Sequence, residues 1–394
     1  MAKKTVKDIN VKQKKVLVRV DYNVPTKPDG TITDDTRIRA SLPTINYLLG
    51  QQARIILCSH LGRPGGKVVE ILRLAPEAKR LSELLKKPVA ALNDCIGPQV
   101  EDAVSKMRDG DIVLLENLRF YPQEEANDPD FALKLSRLAD VYVDDAFGSC
   151  HRAHASIVGV ARDMPAAAGL LMEKELTTLN GLLGNPDRPF AVMIGGAKVS
   201  TKMGFLDNVL PKVNFLIIGG GMIATFIKSQ GYSAGASAVE NDQVDHVLKL
   251  RQQAKSLGVG LMLPLDLIVA QKLQAGSPTR IVPINQVPEG WIIADIGPKT
   301  VEAFSKTING CKTVFWNGPL GVFEIPQFAE GTRSLAKVLA NLKATTVIGG
   351  GSTAEAVVDM GLTDKMSYVS TGGGASLELL EGKVLPGVAV LPDK

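Results

Sequence analysis

Clusters of glycine follow four short apolar runs in the second half of the sequence. They occupy positions 195–196, 219–221, 349–351 and 372–374. Short runs rich in β-branched residues are typical of buried strands in parallel sheets, and ligands bind at the carboxyl ends of such strands. Glycine there lets backbone N–H groups approach a phosphate, often with a helix N-terminus behind it. Four such clusters on one sheet edge indicate a nucleotide site.

Arginines take the place of glycines in the first half. Three predicted strands there lead into loops that carry Arg63, Arg119 and Arg152. The planar guanidinium group suits the geometry of carboxylates and phosphates. This half is therefore typical of a site for a small, highly anionic molecule. Phosphate-binding loops in one half and anion-binding arginines in the other indicate transfer of a phosphoryl group between two bound partners.

Two lysines follow the first glycine cluster. Lys198 and Lys202 are four residues apart, so both would lie on one face of a helix that follows the strand. Most lysines are solvated surface charges. A position next to glycines at a strand end nevertheless favours contact with phosphate.

Several common motifs are absent from the sequence. It has no GxxxxGK[ST] loop, no GxGxxG motif, no His-Arg-Asp or Asp-Phe-Gly triplet and no GxSxG elbow. A zinc site is not indicated either, because Cys150, His151 and His154 have no second His or Cys cluster to complete it. A P-loop enzyme, a standard dinucleotide-binding domain, a protein kinase and a serine hydrolase are thereby disfavoured.

Strand-like and helix-like segments alternate along the 394 residues, which is typical of an α/β protein with mostly parallel sheets. The length favours two domains. An amphipathic segment at 170–183, stopped by Gly184 and Pro186, predicts a helix that connects the halves. The predicted boundaries are 1–169 for the first domain, 170–184 for the connector, 185–375 for the second domain and 376–394 for a C-terminal tail.

Composition bears on partners and location. With a formal charge of +4 and 5% aromatic residues, the sequence has no basic block or stacking platform for nucleic acid. No stretch approaches the about 20 apolar residues of a membrane span, and the charged N-terminal segment does not read as a signal peptide. We therefore expect a cytoplasmic protein with small-molecule partners, without nucleic acid or membrane.

Seven longer motifs resemble those of the phosphoglycerate kinase family. They lie at 19–25 (RVDYNVP), 59–64 (SHLGRP), 116–120 (ENLRF), 151–156 (HRAHAS), 195–202 (GGAKVSTK), 316–324 (WNGPLGVFE) and 370–382 (STGGGASLELLEG). Because so many long motifs occur in this order over essentially the full length, the chain is identified as a member of that family.

This resemblance implies a fold and a reaction. The fold would be two Rossmann-like three-layer domains around a cleft, joined by the connector helix, with the tail packing back on the first domain. The reaction would be reversible phosphoryl transfer between 1,3-bisphosphoglycerate and ADP, giving 3-phosphoglycerate and ATP, with Mg²⁺ bound to the nucleotide. The family also implies a monomer.

Site residues follow from the matching motifs. The resemblance implies that phosphoglycerate is held by Asp21, Asn23, Arg37, His60, Arg63, Arg119 and Arg152. It implies nucleotide contacts from Gly195, Lys198, Lys202, Gly219, Asn317, Pro319, Glu324, Gly350, Gly351, Ser352 and Thr353. The residues implied to act on the transferring group are Arg37, Lys202, Gly350 and Gly373.

The mechanism needs no general base, because the attacking group of 3-phosphoglycerate is a carboxylate that is ionised near neutral pH. Catalysis then reduces to alignment and to stabilisation of charge on the transferring group. We expect Arg37 and Lys202 to flank that group once the domains close. Helix N-termini behind Gly350 and Gly373 would add fixed positive ends.

Three positions depart from the family pattern. Ser352 stands where the family usually has an aspartate that binds magnesium, so the ion is expected to depend more on phosphates and water, with Asp295 or Glu324 reached through water. Ile293 changes a family segment near the adenine pocket. Cys150 replaces a common alanine, which we interpret as neutral packing.

Two alternatives stay open. Ser352 is compatible with a nucleotide-responsive binding protein that has lost turnover. A metabolite-binding α/β protein without transfer activity is the other. A coupled assay for ATP formation from 1,3-bisphosphoglycerate and ADP separates both from an active kinase.

Overall fold

The computed structural model describes residues 2–394 and consists of two compact units. The first comprises the chain up to Thr177 together with Val384–Lys394, and the second comprises Thr178–Lys383. Each unit is built on its own six-stranded sheet, and every neighbouring pair of strands in both sheets is parallel. The predicted α/β class with mostly parallel sheets is confirmed.

Six strands and six helices form most of the first unit. The strands are β1 (Lys15–Arg19), β2 (Arg54–Cys58), β3 (Ala90–Ala91), β4 (Ile112–Leu114), β5 (Val141–Asp144) and β6 (Ala166–Ala168). The helices are α1 (Thr36–Gly50), α2 (Ala75–Leu85), α3 (Pro98–Ser105), α4 (Pro122–Glu125), α5 (Pro129–Ser136) and α6 (Val160–Asp163). The strand order in the sheet is β3-β4-β2-β1-β5-β6.

Strand β1 lies inside this sheet and is covered on both faces. Val16, Leu17 and Val18 are fully buried although consecutive side chains in a strand point to opposite faces. Such near-continuous apolar strands require helices on both sides of the sheet. The arrangement leaves the carboxyl ends of the strands as the edge where polar side chains can gather.

Helix α7 (Leu170–Gly184) connects the two units, and the division between them falls within it. Its first turn is held by residues from the first sheet and α1. The carboxylate of Asp145, just after β5, accepts hydrogen bonds from the backbone N–H groups of Leu171 at 2.9 Å and Met172 at 3.3 Å. Thr44 Oγ1 accepts one from the N–H of Leu170 at 2.8 Å. The connector therefore starts from a point fixed in the first unit.

The second unit contains the remaining nine strands. They are β7 (Phe190–Ile194), β8 (Phe215–Ile218), β9 (Gly260–Met262), β10 (Asp266–Ala270), β11 (Thr279–Pro283), β12 (Ile292–Ile296), β13 (Thr313–Asn317), β14 (Thr345–Gly349) and β15 (Tyr368–Val369). The parallel sheet has the order β15-β14-β13-β7-β8-β9. The other three strands form a separate antiparallel sheet with β10 in the middle. Nothing in the sequence pattern predicted that smaller sheet.

Helices of the second unit surround its parallel sheet. They are α8 (Met203–Val209), α9 (Ile223–Ser229), α10 (Val244–Ser256), α11 (Pro298–Asn309), α12 (Glu330–Ala340), α13 (Gly351–Asp359) and α14 (Gly374–Leu380). A last short helix, α15 (Pro386–Ala389), belongs to the first unit, where the N–H of Gly387 donates to the carbonyl of Cys150 at 2.8 Å. Within residues 2–394 no helix has the length and apolar character needed to cross a membrane.

Gly169 immediately precedes the connector helix, and a Cβ at this position would overlap the carboxylate of Asp145. We expect Gly169→Ala to destabilise the protein by about 1–3 kcal/mol, as overpacking at a closely packed site does. The midpoint of urea unfolding, followed by circular dichroism, measures the effect. Gly181→Ala in the same helix is the matched control, because a Cβ there meets nothing within 4 Å and alanine favours helix. Equal midpoints for the two variants would contradict the proposed contact.

Candidate functional site

The predicted phosphoglycerate residues of the first unit follow the carboxyl ends of four parallel strands, apart from one on α1. Asp21 and Arg37 form an ion pair, with 2.9 Å between Oδ2 and Nη1. The side-chain oxygen of Asn23 accepts a hydrogen bond from the N–H of Gly62 at 2.9 Å, and Arg119 Nη1 donates to the carbonyl of Gly62 at 2.7 Å. Loops after β1, β2 and β4 are thus joined by hydrogen bonds.

His60 lies at the centre of this edge and is only 4% exposed. Burial is the largest cause that holds its pKa well below the ordinary range, and the charges of Arg19, Arg119, Arg152 and Arg37 add to it. The imidazole is therefore neutral at physiological pH. The structure brings together most of the predicted residues around His60, whereas Arg63, in the same loop, is exposed.

Arg19 is a member of this cluster that the sequence analysis did not assign. It ends the apolar strand β1, is 1% exposed, and points one nitrogen, Nη2, at His60 Nδ1 over 3.0 Å. Its Nε donates to Ser156 Oγ at 2.9 Å, and Nη1 donates to the carbonyl of Val20. The signal was an arginine that directly follows three apolar residues at the end of a strand, where a charged group needs partners to be buried.

The guanidinium groups in this unit are close enough to affect one another. Burial and the nearby charge of Arg152 lower the pKa of Arg119 to about 10. Burial, followed by the charges of Arg119, Arg19 and Arg152, lowers the pKa of His154 to about 4. Positive charge has therefore accumulated at this edge, and a ligand with several negative charges would relieve the repulsion.

A cavity of about 570 Å³ lies in the second unit and is lined by three of the loops that the glycine clusters predicted. Its polar side includes Gly196, Gly220, Gly221, Pro319, Glu324 and Ser352, and its apolar side includes Ile292, Ile293, Ala294, Leu320 and Val322. Apolar residues beside glycine-rich loops are the composition expected of a cavity that takes a nucleoside phosphate. The segment around Ile293, which departs from the family pattern, forms part of the apolar wall.

Other glycines of the same clusters pack against protein. A Cβ at Gly195 would overlap the carbonyl oxygen of Pro319, and one at Gly219 would overlap the side chain of Leu320. Thr353 is fully buried, and its Oγ1 accepts a hydrogen bond from the N–H of Gly318 at 2.6 Å. These positions hold the loops together beside the cavity and do not line it.

Lys198 and Lys202 do not share a helix face, so that prediction was wrong. Helix α8 begins only at Met203, and the preceding residues form turns in which the N–H of Lys202 donates to the carbonyl of Val199. Lys198 is exposed, whereas Lys202 Nζ donates to Asn317 Oδ1 at 2.8 Å. Burial lowers the pKa of Lys202 to about 8, although the charge of Glu381 opposes this change.

Asn317 lies at the end of β13, between Lys202 and the 349–351 glycine cluster. It is 1% exposed, and its Nδ2 has no hydrogen-bond partner among residues 2–394. Gly350, whose φ of +86° requires glycine, lies against this amide, and α13 begins at the next residue. Gly373 has a φ of +52°, and helix α14 likewise begins at the residue after it. The unused amide N–H donor of Asn317 thus lies next to the loop that carries Ser352.

Asp295 cannot reach a metal through water, contrary to expectation. It is 1% exposed, and its two oxygens accept hydrogen bonds from the N–H groups of Ile296 and Gly331, each at 2.8 Å. Asp295 instead ties β12 to the first turn of α12. In the described part of the chain no group of three or more His, Cys, Asp or Glu residues could hold a metal ion.

Comparisons with known proteins agree with these features. A family model described as phosphoglycerate kinase matches residues 6–383. Proteins named phosphoglycerate kinase from Pelotomaculum thermopropionicum and Moorella thermoacetica are each 55% identical over 394 residues, covering 100% of both chains. The solved phosphoglycerate kinase of Coxiella burnetii is 41% identical with a TM-score of 0.86 and covers 98% of each chain. That of Pyrococcus horikoshii is 31% identical with a TM-score of 0.87, covering 99% of this chain and 98% of its own.

Lys202 should be the lysine that loses its proton earliest as pH rises. Because burial favours the neutral amine, we expect its ε-amine to be charged below about pH 8 and neutral above it. NMR of ¹⁵N-labelled lysine side chains follows this titration, and the signal should disappear in Lys202→Arg but persist in Lys198→Arg. Glu381→Gln should lower the midpoint further. If all lysine signals titrate together in the ordinary range, the proposed burial of Lys202 is wrong.

Proposed function

The chain belongs to the phosphoglycerate kinase family and catalyses the reversible transfer of a phosphoryl group between 1,3-bisphosphoglycerate and ADP, a step of glycolysis; from this premise we propose that its two units divide the work. The first unit binds phosphoglycerate, and the second binds ADP or ATP. The observation that carries this division is the set of four guanidinium groups around His60, whereas the cavity of the other unit is lined by glycines and apolar residues with one charged side chain, Glu324.

Phosphoglycerate binds at the edge formed by Asp21, Asn23, Arg37, His60, Arg63, Arg119 and Arg152. Bisphosphoglycerate and 3-phosphoglycerate carry several negative charges, which suit a site where guanidinium groups repel one another in the absence of ligand. Asp21 holds Arg37 in place through the 2.9 Å ion pair. Neutral His60 contributes a hydrogen bond and no charge.

The nucleotide binds along the cavity of the second unit. Its base lies against the apolar wall near Ile293, and its phosphates lie over Gly196, Gly220 and the start of α13. Backbone N–H groups at a helix start bind phosphate because they are unpaired and lie at the positive end of the helix dipole. Lys198, Asn317, Glu324 and Gly351 complete this set of contacts in our proposal.

Transfer proceeds without a general base, because the carboxylate of 3-phosphoglycerate is already ionised. Arg37 from the first unit and Lys202 from the second stabilise the charge that develops on the transferring group, with N–H groups near Gly350 and Gly373 assisting. Since each unit binds one substrate, transfer requires domain closure, which also excludes water. We further propose that the enzyme is a cytoplasmic monomer that needs neither nucleic acid nor membrane.

Mg²⁺ accompanies the nucleotide in this proposal. The ion retains several waters and typically takes one or two protein ligands besides substrate phosphates. The exposed hydroxyl of Ser352 and the carboxylate of Glu324, both on the cavity, fit such a sparse set. When bound, the ion would neutralise phosphate charge, while the residues of the chain position the nucleotide.

Arg37→Ala tests the proposed function. If Arg37 acts chiefly on the transferring group, kcat in a coupled assay of ATP formation should fall by about 10²- to 10³-fold, while KM for 1,3-bisphosphoglycerate rises much less, because other arginines still hold it. Arg39→Ala is the control, since this arginine lies on the same helix with its side chain 53% exposed. An unchanged kcat with a large rise in KM would assign Arg37 to binding alone.

Ser352→Asp tests the position of the metal. A carboxylate should strengthen Mg²⁺ contact by about 1.4 kcal/mol, so the magnesium concentration needed for tight ADP binding should fall about tenfold. Calorimetric ADP titrations at a series of magnesium concentrations measure this, with Ser352→Ala as the control that only removes the hydroxyl. If the aspartate variant shows the same magnesium dependence as wild type, position 352 does not face the ion.

A further inference from the structure

The contact between Arg19 and His60 is buried and has a defined direction. Arg19 Nη2 lies 3.0 Å from His60 Nδ1, and both side chains are nearly inaccessible to solvent. A guanidinium group carries only donors and stays protonated in proteins. His60 Nδ1 must therefore be the acceptor in this hydrogen bond. A neutral imidazole that accepts at Nδ1 carries its proton at Nε2.

Arg19 is itself held by a chain of hydrogen bonds whose direction is fixed. Glu124 is completely buried and accepts from Ser156 twice, at 2.6 Å from Oγ and at 2.9 Å from the backbone N–H. The Ser156 hydroxyl thus gives its hydrogen to Glu124 and keeps a lone pair for Arg19 Nε at 2.9 Å. With the carbonyl of Val20 also bound, the guanidinium plane cannot turn away from His60 without losing these partners.

The charges around His60 oppose a second proton on the ring. Those that act on it directly come from β1, α1, the turn after β4 and the loop after β5, and they are Arg19, Arg37, Arg119 and Arg152. The buried carboxylates that face Arg19 are Glu124 and Asp144. His154 is affected by the same arginines. The side chains that act on His60 directly are positive. The carboxyl groups of Glu124 and Asp144 act on Arg19, and burial raises the pKa of both, that of Asp144 to about 7.

We propose that Arg19 is a positioning residue that fixes His60 as the neutral Nε2–H tautomer, so that the ring offers one N–H donor to an anionic ligand. A bound anion would otherwise favour an imidazolium. Protonation of Nδ1 would, however, break the hydrogen bond from Arg19 and place two cations about 3 Å apart. The ring therefore stays neutral when phosphoglycerate binds, and binding takes up no proton at His60. This last consequence rests on the proposed substrate role of the first unit, whereas the tautomer does not.

The tautomer is observable in the free protein. The chain has four histidines, so two-bond ¹H–¹⁵N correlation spectra of the ¹⁵N-histidine-labelled protein can be assigned with His60→Gln. We expect His60 to show the Nε2–H pattern without titration between pH 6 and 8, both free and with 3-phosphoglycerate. An Nδ1–H pattern, or an imidazolium forming near pH 6.5, would overturn the proposal, and this readout needs no variant of Arg19.

Variants of Arg19 test whether this residue fixes the tautomer of His60. Arg19→Met removes the donor and one positive charge, so we expect a mixture of tautomers, a higher His60 pKa, and an affinity for 3-phosphoglycerate that increases several-fold from pH 8 to pH 6. Arg19→Lys keeps a cation that can only donate and should restore the Nε2–H pattern. Arg39→Met is the control for loss of an arginine elsewhere in the first unit. A pure, non-titrating Nε2–H tautomer in Arg19→Met would exclude the positioning role.

A different result is expected if the first unit does not bind 3-phosphoglycerate at His60. If His60→Gln binds 3-phosphoglycerate as tightly as wild type in calorimetry, His60 does not contact the ligand, although the tautomer assignment from the free protein would still hold. If the Nε2–H pattern is absent but His60→Gln weakens binding, the proposed substrate site stands and the role of Arg19 is overturned.

Discussion

Repulsion among the guanidinium groups around His60 is the constraint on which the first unit depends. Two unit charges 4 Å apart interact by about 4 kcal/mol at an effective dielectric constant of 20, so such a cluster persists only if buried carboxylates and hydrogen bonds compensate it. Glu124 and Asp144 face Arg19, although burial raises the pKa of both carboxyl groups, that of Asp144 to about 7. Asp21 holds Arg37. The compensation is incomplete, as the lowered pKa of Arg119 indicates. The remaining positive potential is what a multiply charged anion would neutralise.

In the proposed function the second unit also binds an anion, but its cavity consists mainly of glycine-rich loops and apolar residues. Its loops approach one another so closely that a Cβ at Gly318 would overlap the backbone of Gly195, and one at Gly220 would overlap that of Gly196. This packing explains why the glycines occur in clusters. The N–H groups of Gly196 and Gly220 donate to the carbonyls of Pro319 and Leu320, which joins these loops beside the cavity. The cavity consequently carries few charged side chains.

Local patterns in the sequence predicted the elements well, because hydrophobic periodicity and helix-ending residues act over short distances. The amphipathic segment at 170–183 is observed as the helix Leu170–Gly184. Features that depend on tertiary packing were missed. The antiparallel sheet, the burial of Arg19 and the structural role of Asp295 all arise from contacts between segments distant in sequence. The prediction that Lys198 and Lys202 share a helix face was wrong because the residues before α8 form turns, and turns leave no periodic pattern in the sequence. The assignments of individual residues to substrates stay predictions.

The two units also differ in how their cations respond to pH. The guanidinium groups stay protonated throughout the physiological range, and His60 is neutral across it, so the cations of the first unit keep their charge there. Burial raises the pKa of three carboxyl groups in that unit, Glu77, Asp144 and Asp145, to about 7, so its change of charge with pH comes from carboxylates. Lys202 has a pKa of about 8 and loses its charge as pH rises through that value. A bound phosphate would raise this pKa, because an adjacent negative charge favours the ammonium form. Alkaline conditions should consequently remove the charge of Lys202 in the free second unit before they do so in its nucleotide complex. Among the cations of the two proposed substrate sites, Lys202 of the second unit is therefore the one whose charge depends on alkaline pH.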